Sequence, residues 1–350
     1  MSVLHVLPTP CSKQAQLKFY NYKFCPMAPF VNYADFESVL EPLGRQAKQT
    51  TYSQQHKVCA AAAILCSTLG QYNQLMVMEV WENALAEFLD MLIEWESAIV
   101  EELRTNRPRK RMSAQKREEY ENATECYICR NAFEEEDPKG PKVRDHDHIT
   151  GFFRGAAHRQ CNLERPVSFR IPVYFHNFCG YDAHLIVYEF GKRPDRELNV
   201  IGQNMAKYLQ VKWGKKMVFR DSFQFQTASL EQLTASLAKT GRENFYNLHD
   251  VVPQIYPGSD VELLELTGVF CYDYVDSFAR LDEPALPQRI AFFNQLEGEE
   301  CSETDYAHAQ QVFANFQCES LKDCMRLYLL SNISLLADVF QMFRNNSLEE

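Results

Sequence analysis

The sequence predicts an α/β fold, a mixed sheet flanked by helices and split by a small insertion, and three observations carry that prediction. Short runs with strand-like alternation lie on either side of one long stretch with helical periodicity. The composition breaks abruptly at Arg104 and recovers near Pro166. Within the break, three cysteines and a histidine stand in two pairs, each pair with two residues between its members.

Size and composition set the bounds. With 350 residues, nearly half of them apolar, the chain can bury one large core or two modest ones. The longest apolar run, Val58 to Cys66, is strand-sized and far short of a bilayer span, so no membrane partner is expected. The first eight residues, Met1 to Pro8, show no basic segment leading into an apolar stretch, so no secretory signal is expected and the compartment is read as intracellular and reducing. Twelve cysteines in such a compartment do not read as a disulfide framework. The net charge of −11 argues against binding nucleic acid by bulk attraction. Arg104 to Arg117 nevertheless carries seven basic residues and no acid, and Lys207, Lys212, Lys215, Lys216 and Arg220 form a second cluster. Each either faces a phosphate backbone or is a solvated surface patch.

Taken in order, residues 1–30 form an N-terminal segment and 31–103 the first part of the main domain. Strands are expected around Pro29 to Glu37 and through Val58 to Cys66, followed by a helix from Glu79 to Leu103. Its stripe is Val80, Trp81, Ala84, Leu85, Phe88, Leu89, Leu92, Ile99 and Leu103. Residues 104–165 are the insertion, basic at first and acidic from Glu134 to Asp137. The domain resumes over 166–350 with strands at Ile171 to Phe175 and Met217 to Phe225. The second pairs through a turn at Trp213-Gly214 with Tyr208 to Val211, and a helix over Leu321 to Phe343 follows.

Two groups of residues carry chemistry. Cys126 and Cys129 are followed, after 28 intervening residues, by His158 and Cys161. Such pairs form two knuckles that close a tetrahedral zinc site, and a segment this small needs the metal for its stability. Asp35 and Glu37 stand two apart on an expected strand, so both carboxylates face one side and can share a pair of magnesium ions. Asp182 follows a strand at a strand-to-helix turn, where its carboxylate can complete the cage. Asp221 reads as a strand-end residue supporting the sheet, and Cys59, Cys66, Cys271, Cys301, Cys318 and Cys324 read as core or incidental thiols.

Between the knuckles stands Asp145-His146-Asp147-His148, then Arg154-Gly155, and Asn162 follows the last ligand at once. At these residues the insertion resembles the HNH finger of recombination endonuclease VII and its relatives, with His158 in place of the usual third cysteine. The resemblance implies a ββα-metal nuclease fold in which Asp145 and Asn162 hold magnesium, His146 activates water with His148 beside it, and Arg154 meets branched or duplex DNA. The alternative is a finger kept as a DNA-binding or packing element.

Tyr33 to Ser38, Ile171 to Leu185, Asp221 to Phe225 and Tyr328 to Phe340 together resemble the protein-primed family B DNA polymerases of Polinton-like elements, viruses and linear plasmids. The likeness extends to Tyr272 to Ser277 and Asp305 to Ala309, stretches with no catalytic duty. It implies an RNase H-like 3′-to-5′ exonuclease acting on single-stranded 3′ ends in a nucleus or viral replication compartment. A polymerase palm or protein primer would be its partner. Asp35 and Glu37 would form the first motif and Asp182 the second, using Mg2+ or Mn2+, with Asn177 and Phe178 lining the single-strand groove. The third motif departs from the family pattern: Tyr328 is followed four residues on by Asn332 instead of aspartate. Asp338 cannot replace it, lying roughly 240° further round the helix. An impaired exonuclease is therefore expected, and because no stretch resembles the palm motifs, no polymerisation by this chain alone. Three readings remain: a proofreading domain, an HNH endonuclease, and a catalytically dead nuclease fold used for binding.

Overall fold

The computed structural model describes residues 28–47, 50–68, 73–77, 82–104, 107–164, 169–204, 207–295 and 298–349. Most of the N-terminal segment, and Glu79 to Trp81 of the expected helix, lie outside these residues. The described residues divide into two compact units, Ala28–Val100 with Arg170–Glu350, and Glu101–Phe169.

The elements of the first half of the chain are β1 (Phe30–Ala47), β2 (Thr50–Ser67), β3 (Gln74–Val77), α1 (Ala84–Arg104), α2 (Ala114–Asn122), β4 (Lys142–His146), β5 (Phe153–His158) and α3 (Arg159–Glu164). Then come β6 (Ile171–Phe175), α4 (Asp182–Gly191), β7 (Leu198–Asn204), β8 (Lys207–Trp213), β9 (Met217–Asp221), α5 (Leu230–Ala238), α6 (Tyr246–Ile255), α7 (Phe278–Leu281), α8 (Glu303–Asn315) and α9 (Leu321–Glu349).

The larger unit is a mixed α/β structure built on a seven-stranded sheet of order β3-β2-β1-β6-β9-β8-β7. β1, β6 and β9 run parallel to one another, while β2 and β3 on one side and β8 and β7 on the other add antiparallel edges. Alternation along β1 and β2 makes the two cores. Val31, Tyr33, Ala60, Ala62 and Ile64 face the cluster that holds α6 and α9, whereas Ala34, Phe36, Ala61 and Ala63 face α1 and α4. The alanine run in β2 lets helices approach closely on both faces, and Phe36 meets Phe88 of α1 edge-on at 5.1 Å between ring centroids.

Two local expectations need correction. β9 stops at Asp221 rather than running to Phe225, because the Asp221 carboxylate accepts from the Phe223 N–H and starts a 3-10 turn over Ser222–Gln224. The last helix runs on to Glu349, since neither glycine nor proline interrupts it. No helix among the described residues is long and apolar enough to cross a membrane.

The smaller unit is an antiparallel hairpin, β4 with β5, followed by the single-turn helix α3, with α2 capped by the Ser113 hydroxyl ahead of it. Its core is small: apart from cysteines, only Ile128 and Ala157 are buried in the central cluster. A segment with so little apolar burial is not stable on that account alone.

Candidate functional site

The Cys126, Cys129, His158 and Cys161 ligand atoms all lie within 4.8 Å of one another. This set can hold a structural metal such as zinc. His158 is fully buried, with Nδ1 3.4 Å from the Cys129 sulfur and Nε2 2.7 Å from Asp137. Donation from Nε2 to Asp137, and to the Ala132 carbonyl at 3.2 Å, leaves the Nδ1 lone pair aimed at the thiols, as a metal-ligating imidazole requires. Burial opposes ionisation of Cys129, but the Asn131 N–H and then the Cys161, His158 and Cys126 side chains bring its thiol down to about 7. The acidic run that reads in sequence only as a change of composition thus supplies, in Asp137, the residue that orients the histidine ligand.

Beyond the metal cluster, the finger's HNH residues are engaged with one another. Asp145 is buried and accepts from the Tyr127 hydroxyl. The Tyr127 ring lies across the hairpin at Gly155, the pairing partner of Asp145, where a Cβ would come within 2.7 Å of it. Arg154, expected to meet DNA, is ion-paired with Asp147, which also accepts from the Ile149 and Thr150 N–H groups. His146 and His148 lie with ring centroids 4.7 Å apart. Asp145 and His146 line a cavity of about 250 Å3, and Asn162, on α3, is not among the residues lining it.

In the larger unit a cavity of about 390 Å3 is lined by Asp35, Glu37, Asp182 and Asn332, residues from three distant parts of the chain. β6 ends at Phe175, two residues beyond its pairing with Asn32 of β1, so β1 continues past it and presents Asp35 and Glu37 over the end of the neighbouring strand. The register of β1 on β2 shifts between Glu37 and Ser38, a bulge of the sort that re-aims side chains beside functional clefts. Asp182 is delivered by the β6–α4 turn. There the Asp221 carboxylate accepts from the Asn177 and Cys179 N–H groups, Asn177 adopts a φ of 71°, and Gly180 leaves space that a Cβ would close to 2.6 Å from the Asn177 amide oxygen.

The electrostatics of this cavity are those of carboxylates short of positive charge. Loss of hydration pushes Asp35 up to about 7, against the pull of the Phe36 N–H and the Asn332 amide. Burial raises Glu37 and Asp182 well above the carboxylate range, and the charge of Asp35 adds to both. Glu37 accepts from the Tyr272 hydroxyl at 2.8 Å, whereas Asp182 Oδ1 is buried with no hydrogen-bond partner among the described residues. Hard oxygen donors with one buried lone pair unmet suit a divalent cation such as magnesium. Among the described residues, Cys126, Cys129, His158 and Cys161 are the one group of three or more histidine, cysteine or acidic side chains close enough together to share a metal ion.

Sequence reasoning placed some neighbours wrongly. Phe178, expected in the strand groove, is fully buried and stacks with Phe175 and Phe219, because the turn that exposes Asn177 points the next side chain into the sheet. Tyr328 stands behind the cavity, against Tyr272 and Phe270, and shares Asn332 with Asp35 as a hydrogen-bond partner. Tyr272 lies in a stretch read as without catalytic duty, yet it is the residue that holds Glu37. Only its tyrosine-rich surroundings could have hinted at that. Asp338 accepts from the Asn247 and Leu248 N–H groups at the start of α6, away from the cavity lining. Cys59, Cys66, Cys271 and Cys324 are buried free thiols.

A pH dependence follows. Asp35 keeps its proton to about 7 in the folded, metal-free chain, but releases it near 3.8 when unfolded. Between those values the native state binds the extra proton, so this group's contribution is full at low pH and is lost as pH rises from about 4 to about 7. Thermal unfolding without added magnesium should show that falling limb, and Asp35→Asn should make it shallower without removing it, because burial raises Glu37, Asp182 and Asp338 as well. Parallel limbs in the two proteins would mean that Asp35 is hydrated like a surface carboxylate.

No protein-family model, curated protein or solved structure matches the chain.

Proposed function

We propose that the sheet-bearing unit is an RNase H-like 3′-to-5′ exonuclease core of the family B DNA polymerase kind, acting on single-stranded 3′ ends and weakened by the amide at Asn332. The observation that carries the proposal is the shared cavity: Asp35, Glu37 and Asp182 line it together, and Asp182 Oδ1 is left with no partner. Asp35, Glu37 and Asp182 would hold Mg2+ or Mn2+, which when bound lends Lewis acidity to the scissile phosphate and its attacking water. Tyr272 fixes the Glu37 carboxylate, and Asp221 fixes the turn that aims Asp182. Phe293 lines the same cavity and is partly exposed, so it takes the base-facing role that the buried Phe178 cannot.

Asn332 favours a second reading, a nuclease fold retained to bind strands without cutting them. End-labelled single-stranded DNA incubated with Mg2+ or Mn2+ separates the two. The exonuclease reading expects slow stepwise shortening from the 3′ end that disappears in Asp182→Asn. Shortening that survives this substitution would place the chemistry elsewhere. Binding without shortening would favour the second reading.

A further inference from the structure

The stretch ahead of α2 folds back onto the finger. The Arg107 N–H donates to the His148 carbonyl at 3.0 Å and the Lys110 N–H to the Gly151 carbonyl at 2.8 Å. Lys110 also lies over the Phe152 ring, 4.0 Å from its centroid. This crossing needs a glycine. Gly151 has a φ of +76°, and a Cβ there would sit 2.5 Å from the Pro108 carbonyl oxygen.

The folded-back stretch lines the cavity beside Asp145 and His146, bringing Arg109, Lys110 and Arg111 together with Arg117 of α2 and Arg144 of β4. Arg144 rests on the Tyr120 ring, 4.9 Å from its centroid. None of the five is ion-paired with a carboxylate among the described residues. The one acid lining the cavity, Asp145, is buried and takes the Tyr127 hydroxyl. In a chain whose net charge is −11, five cations beside one carboxylate around a single cavity make a strong local reversal of sign.

We propose that this cavity binds backbone phosphates of a nucleic acid and serves the finger as a grip. A single phosphodiester carries one negative charge, fewer than these cations can offset, so consecutive phosphates of one chain fit better than an isolated anion. Arginine is suited to this work by its fixed fork of donors. The engaged state of Asp145 makes the site one for an anion. This inference is independent of the carboxylate cavity and of any cleavage there.

The test uses the zinc-loaded full chain and a covalently closed DNA dumbbell, which has no 3′ end for the carboxylate cavity to take. Affinity should fall with salt on a logarithmic slope of roughly −0.9 for each phosphate neutralised, hence roughly −4.5 if all five cations engage. Arg109→Ala and Arg144→Ala should each flatten the slope by about 1 and weaken binding about fivefold at near-physiological salt. Lys239→Ala, on the exposed end of α5 in the other unit, should change neither. Gly151→Ala keeps every cation but displaces the segment that carries three of them, and should weaken binding at least as much while retaining zinc. Dumbbell binding that is absent, or indifferent to the two arginine substitutions and to Gly151→Ala, would overturn the proposal. So would binding of inorganic phosphate alone, with no affinity for the dumbbell.

Discussion

Removing zinc, or replacing Cys126 with serine, should unfold residues 107–164 while the seven-stranded sheet stays folded. The finger's buried apolar side chains are few, Ile128, Ile149, Ala156 and Ala157 beside Cys126 and Cys161, so a metal held by the four ligands would supply most of what keeps β4, β5 and α3 together. Apparent binding energies for structural zinc of this class are on the order of 10 kcal/mol or more, larger than the whole stability of many domains. The two units can be watched separately, because the three tryptophans, Trp81, Trp95 and Trp213, all lie outside Glu101–Phe169. Tryptophan fluorescence should be unchanged by a zinc chelator, whereas protease cleavage within 107–164 should rise sharply. Protection of that segment in the metal-free chain would show that the knuckles close without an ion.

On the proposed exonuclease reading, Asn332→Asp should raise the rate on single-stranded 3′ ends by 10- to 100-fold, which corresponds to about 1.4–2.7 kcal/mol of transition-state stabilisation. The amide already touches Asp35 and shares the cavity with Glu37 and Asp182, so the substitution adds a charge at a position that lines the same cavity. A fourth carboxyl among three that burial already raises adds like-charge repulsion, so the metal-free variant should be less stable at neutral pH and should recover with magnesium. Paired measurements of rate and of melting temperature, with and without magnesium, test both halves. An unchanged rate, with the variant folded and binding magnesium, would mean that this helix position contributes no charge to the reaction.

Much of this was legible along the chain. Ligand spacing is a local property, and Cys126, Cys129, His158 and Cys161 declare a metal knuckle whatever surrounds them. Alternation in β1 and β2 is likewise local, and it put Asp35 and Glu37 on one face before any helix was placed. The partner of a buried charge is not local. Asp137 for His158, Tyr272 for Glu37 and Tyr127 for Asp145 are joined only by folding, across 21, 235 and 18 residues respectively. Phe178 was misread for the same reason: a turn fixes the direction of a side chain, but not what covers it.

By itself the sequence determined the mixed α/β class and that Cys126, Cys129, His158 and Cys161 were chemically equipped to hold a metal, since periodicity and ligand spacing are carried within short stretches of chain. Only the tertiary structure decided that β6 stops short beside β1 so that Asp182 shares a cavity with Asp35 and Glu37, and that Gly151 lets a basic segment close over the finger. Both depend on backbone meeting backbone across long separations, and excluded volume and burial act only once the chain has folded.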